Sequence, residues 1–261
     1  MATKRSAKTT TDNEQSEPKT QSKPNNHLKL RIDDLKTFSP LTDNQKLFFD
    51  AYKRGDYFVA LHGVAGTGKT FLSLYLALNQ IIKGKGERPS KIMIIRSIVS
   101  SRDVGFLPGT IKEKMAVYEE PYRGIFSELF GRGDAYEVLK NKGIVEFCST
   151  SYLRGTTLNN TFVILDEFQN CNFGELDTVI SRLGKNSKIL ICGDIMQTDL
   201  NKSKWDVTGL PDFVKIVEGM DEFDIVDFGV EDIVRSGLVK SYILAKTRFY
   251  EKNEDKTLLT E

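Results

Sequence analysis

Cysteine and histidine are scarce in this chain: three of the first and two of the second among 261 residues. Cys148, Cys171 and Cys192 make no C-x-x-C pair, and His27 and His62 lie far apart, so the sequence argues against a structural zinc site. Cys148 (VEFCS) and Cys192 (KILICGD) sit in apolar, strand-like runs, where a thiol packs as a small buried group. No apolar run approaches twenty residues and no leader-like pattern opens the chain, which is read as cytoplasmic, with no membrane partner. An excess of one charge is missing too: 37 Lys+Arg stand against 36 Asp+Glu, a net of +1. Bulk charge therefore supplies no attraction to nucleic acid, and only a local basic patch could.

What is present is a hydrophobic share of 39%, enough for an ordinary core. The first 26 residues have almost no apolar content and cannot offset their ordering entropy. The domain reading is a disordered polar tail at 1–34, one folded domain at 35–252 and a frayed tail at 253–261. Within the domain, β-rich runs at 57–63, 91–97, 144–149, 161–167, 188–194 and 223–228 alternate with helical patterns. The helices are expected at 44–53, 69–83, 111–130, 173–183, 212–218 and from 231 to about 252. Apolar runs separated by helices predict an α/β fold, a mostly parallel sheet with helices on both faces. The stretch 101–124 is longer than a plain crossover needs, a mark of function.

Residues 63–70, GVAGTGKT, satisfy G-x-x-x-x-G-K-[ST] at each fixed position, with a strand before and a helix after. Gly63, Gly66 and Gly68 allow backbone conformations that turn successive N–H groups towards phosphates at the helix N-terminus. Lys69 brings a mobile charge for the β/γ-phosphates, and Thr70 a hydroxyl ligand for Mg²⁺. The run TFVILDEFQN ends a buried strand in Asp166 and Glu167. Asp166 is placed to hold Mg²⁺ through its waters, and Glu167 to take a proton from an attacking water. KILICGDIMQTDL repeats the design. Its Gln197 either touches the γ-phosphate or the water, or merely follows a common Gly-Asp strand terminator.

Together GVAGTGKT, VGFLPGTIKEKM, LRGTTLNNTFVILDEFQN, SRLGKNSKILICGD and IMQTDL resemble the PhoH-like ATPases, a family similar to the first RecA-like domain of superfamily 1 helicases, over roughly residues 38–250. The resemblance implies a single RecA-like P-loop domain that hydrolyses ATP with Mg²⁺ and acts on RNA or single-stranded nucleic acid. A nucleotide-dependent module assembling on a protein partner is the alternative. The implied nucleotide contacts are Gly63, Val64, Ala65, Gly66, Thr67, Gly68, Lys69, Thr70 and Phe71, with Gln45 on the adenine. Thr42-x-x-Gln45 is equally a helix capping box. Arg96 and Arg154 match family arginines near the nucleotide or a nucleic-acid path. Arg235 matches one that could reach a neighbouring subunit's γ-phosphate, or else pairs with Glu231 or Asp232 on a helix surface. With residues 201–261 too few for a second RecA-like domain, the expected assembly is a homo-oligomeric ring, a hexamer, completing each site between subunits. Phe168, Ser97 and Thr156 depart from the family's usual Ala, Pro and Arg. The last removes a positive charge and weakens the nucleic-acid reading more than the ATPase reading.

Overall fold

The computed structural model describes residues 34–55, 58–83, 88–98, 111–153, 155–194 and 209–258. Six strands form one sheet: β1 (Phe58–Gly63), β2 (Lys91–Arg96), β3 (Val145–Ser149), β4 (Thr161–Asp166), β5 (Lys188–Cys192) and β6 (Phe223–Phe228). Their order is β3-β2-β4-β5-β1-β6, and all five pairings are parallel. The phosphate-loop strand β1 and the acidic strand β4 are thus separated by β5. The two strands that lie between them in sequence, β2 and β3, sit outboard of β4.

A parallel sheet covered on both faces needs strands apolar on both sides, and β4 is buried at all six residues. Its side chains alternate between two cores. Phe162 and Ile164 join Ile92, Ile94, Leu190 and Phe228, while Val163 and Leu165 join Met93, Ile95, Ile189 and Ile191. The first core is roofed by α1 (Asp43–Arg54), α2 (Lys69–Lys83), α3 (Ile111–Phe130) and α4 (Ala135–Asn141). The second is covered by α5 (Phe173–Ser181) and α6 (Leu210–Val217).

The strands fall within two residues of their expected ends, and α2 and α3 match the expected bounds. Local chemistry explains why. Asn172 caps α5 by accepting from Glu175 N (3.0 Å), and Glu175 returns the bond to Asn172 N (3.0 Å). Two elements differ. The helix α4 was not expected; it is seven residues long and depends on tertiary support, with Tyr136 fully buried against Phe126 and Lys140 paired with Glu119 of α3. The last helix, α7 (Gly237–Leu258), starts six residues later than expected. A 3₁₀ turn at Val230–Asp232 and an extended stretch intervene, because Val234 N donates to Gly66 O (3.2 Å) and holds that stretch against the phosphate loop. Among the described residues no helix is long and apolar enough to cross a membrane.

Candidate functional site

The C-terminal tips of β1, β4 and β5 open into a cleft of about 970 Å³, the place where open parallel sheets bind ligands. Residues 65–72 of the phosphate loop and α2 form one wall. Gly63, Gly66 and Gly68 have φ of 117°, 81° and 85°, a region side-chain-bearing residues avoid. Gly63 is constrained twice, since a Cβ there would collide with the carbonyl of Phe228 on β6. The Lys69 ammonium curls back onto the loop, donating to Gly63 O (2.9 Å), Val64 O (2.8 Å) and Thr67 Oγ1 (3.2 Å). Burial lowers its pKa, opposed by Asp194, Cys192, Glu167 and Asp166.

Asp166 ends β4 with both carboxylate oxygens engaged. Thr70 Oγ1 donates to Oδ1 (2.8 Å) and Tyr122 Oη to Oδ2 (2.8 Å). Burial raises its pKa, helped by Glu167, against the two hydroxyls and Arg96. Two hard oxygen ligands from protein suit Mg²⁺, which keeps most of its shell for water and phosphate. Among the described residues no cluster of three His, Cys, Asp or Glu offers an all-protein cage. Thr70 and Asp166 are the residues whose oxygen chemistry would suit such an ion.

Glu167 lies one residue beyond, with a left-handed backbone (φ 55°, ψ 42°) that turns the chain off the strand. Gln169 Nε2 donates to Glu167 Oε2 (2.6 Å), and Gln169 Oε1 accepts from Asp194 N (3.0 Å). The buried amide of Gln169 thus ties the tip of β4 to the tip of β5. Gly193 makes this possible, because a Cβ there would strike Gln169 Oε1 and the Phe168 ring. Phe168 is buried in the second core, filling space.

Gln45 lies against the loop. Its Nε2 donates to Thr67 O (3.0 Å), its Oε1 accepts from Leu41 N (2.7 Å), and its own N donates to the Thr42 cap (3.3 Å). Arg96, in register with Asp166, lines the cleft beneath the ring of Tyr118 (5.7 Å). Arg235, for which the resemblance allowed a neighbouring subunit's γ-phosphate and the residues alone an ion pair with Glu231 or Asp232, lies against the loop of its own chain: a Cβ on Gly66 would come within 2.9 Å of Arg235 Cγ. The backbone bond from Val234 to Gly66 is what places it there. Phe71 lines the cleft beside Phe38, edge to face at 4.9 Å. Gln197 and Arg154 lie outside the described residues.

Three participants carried no role in the sequence reading. Gln169 stood inside the quoted DEFQN, and Asp194 was noted only as part of a strand terminator. Tyr122 lay inside the stretch 101–124 marked as functional, but nothing singled it out within that stretch.

The PhoH-like protein family model matches residues 37–246. The chain belongs to this family. It is 33% identical over 219 residues to a PhoH-like protein of Mycobacterium leprae, covering 83% of this chain and 60% of that protein. It is 35% identical over 205 residues to a PhoH-like protein of Bacillus subtilis (78% and 62%). It is 36% identical over 178 residues to Protein PhoH of Escherichia coli K12 (67% and 49%). The chain thus spans about half to three-fifths of the length of these PhoH relatives. A structure of Pif1 helicases unwinding forked DNA aligns with 73% of the chain at a TM-score of 0.34 and 14% identity, too loose a likeness to argue from. This PhoH-like chain carries a P-loop sequence at the edge of a cleft in a parallel α/β sheet.

Proposed function

We propose that the chain binds ATP with Mg²⁺, hydrolyses it, and couples hydrolysis to RNA or single-stranded nucleic acid. The observation that carries the ATPase is the bond from Thr70 Oγ1 to Asp166 Oδ1, with Glu167 beside it and Lys69 in the same cleft. The backbone N–H groups of residues 65–70 hold the phosphates, since that of Val64 is spent on Phe228 O (3.1 Å), and the Lys69 ammonium exchanges its carbonyl partners for β/γ oxygens. Thr70 and Asp166 hold Mg²⁺, which supplies neutralising charge at the phosphates. Glu167 accepts a proton from the attacking water, its carboxylate held by Gln169. Arg235 is assigned to the γ-phosphate of its own chain, which its contact with Gly66 supports. Gln197 is assigned to the γ-phosphate or the attacking water, and Gln45, on the Thr67 side of the cleft, to the adenine.

Arg96 at the tip of β2 and the family membership support the nucleic-acid step. A homo-oligomeric ring, taken as a hexamer, and a cytoplasmic location complete the proposal. Exposed Leu238, Tyr242 and Phe249 on α7 offer the ring a contact surface. The same surface, with a net charge of only +1, favours a second reading, a nucleotide-dependent module that docks on a protein partner. Phosphate release measured at low salt with and without single-stranded RNA separates the two. A tenfold stimulation supports the motor, no response supports the module, and no hydrolysis under either condition defeats the ATPase reading.

A further inference from the structure

Tyr122 is 1% exposed, yet its hydroxyl reaches one of the two groups that fit the magnesium. It comes from α3, the helix of the long stretch between β2 and β3. Four residues earlier on the same helical face, Tyr118 stacks over Arg96. Arg96 and Asp166 are register partners on the adjacent strands β2 and β4. One face of α3 therefore sets an aromatic ring on each of two neighbouring strand tips. Pro121 precedes Tyr122 inside the helix, and its missing amide leaves the Val117 carbonyl without the usual i→i−4 donor. The Tyr122 ring is backed by Phe147 of β3 at 5.7 Å, so the phenol has little freedom to turn away.

A carboxylate with two oxygens can rotate about its Cβ–Cγ bond. Thr70 fixes one oxygen, and on binding a metal its hydroxyl lone pairs are shared with the ion. The second oxygen is then oriented by Tyr122. We infer that Tyr122 is a positioning residue for the divalent cation: its hydroxyl holds Asp166 in the orientation that receives the ion, and through it α3 is mechanically joined to the nucleotide site. The inference rests on the magnesium-nucleotide reading above. Hydrogen-bond partners of metal ligands typically change metal affinity by about 10–100-fold when removed.

The test is Tyr122→Phe, which deletes one oxygen and keeps the packed ring. Mn²⁺, followed by electron paramagnetic resonance, is titrated into full-length protein saturated with the non-hydrolysable analogue adenosine 5′-(β,γ-imido)triphosphate. Binding of the analogue in EDTA is measured in parallel. Tyr52→Phe is the control, since Tyr52 also donates a hydroxyl bond in a half-buried position, to Gln80, away from the cleft. The expected result is Mn²⁺ binding weakened about 10–100-fold in Tyr122→Phe alone, with metal-free analogue binding and thermal midpoint close to wild type. Mn²⁺ affinity within twofold of wild type overturns the role, as does an equal loss of analogue binding in EDTA, which would mark a general disturbance. A wild-type chain that binds neither the analogue nor Mn²⁺ defeats the parent reading, and the inference falls with it.

Discussion

At the residue scale the site depends on two adjacent acids with different surroundings. Asp166 is enclosed and bonded by two hydroxyls, whereas Glu167 leaves the strand on a left-handed turn and is held by a single amide. Replacing Glu167 by Gln preserves shape and removes the proposed proton acceptor. It is expected to leave ATP binding intact and to slow turnover by about 10²–10⁴-fold, read by nucleotide fluorescence and phosphate release. Normal turnover would move the base elsewhere. Asp166 predicts the opposite trade. Its folded pKa lies above its ordinary value of 3.8, so the folded state holds the proton more tightly than the unfolded state. The ionised carboxylate then destabilises the fold. That cost is absent below 3.8, grows as pH rises and is complete above the raised value. Asp166→Asn should therefore melt above wild type at pH 7–8 without ligands, with the gap closing near pH 4, while losing metal-dependent nucleotide binding. A variant that melts lower at pH 8 would contradict this account.

At the element scale the strand tips are coupled through side chains that cross between them. Gln169 joins β4 to β5, Glu175 at the start of α5 accepts from Ser97 after β2 (3.0 Å) and from Thr150 after β3, and Tyr122 fastens α3 to β4. Adding one methyl at Gly193 tests the first of these links. Gly193→Ala must displace Gln169 or Phe168, with an expected loss of about 1–3 kcal/mol in urea unfolding. Because Gln169 also orients Glu167, kcat should fall more than nucleotide affinity. Unchanged stability and kcat would show that the crowding is relieved at no cost.

At the scale of the whole molecule, Arg235 reaches the phosphate loop of its own chain, so the cleft has a third cation, beside Lys69 and Arg96, without a neighbour. The proposed hydrolysis and the proposed assembly are thereby separable. Light scattering with ATP·Mg²⁺ is expected to give a ring mass, and Tyr242→Glu on the exposed face of α7 to lower it while retaining basal hydrolysis. Loss of hydrolysis in step with loss of mass would return Arg235 to the neighbour's site.

Local signals determined much of this. The glycines of 63–70, the apolar runs ending in acids and the period of α2 and α3 made the sheet, its helices and the phosphate loop legible, because each is encoded by residues close in sequence. The helix α4 escaped notice because seven residues carry too few turns for a periodic signal, and their helicity depends on contacts with α3. The late start of α7 depended on one hydrogen bond to Gly66, made by a residue more than 160 positions away. Which strand separates β1 from β4, and that Tyr122, Gln169 and Asp194 meet the acids, followed only from the tertiary arrangement. The sequence sets what each segment can form, whereas the packing of a six-stranded sheet decides which distant side chains become neighbours.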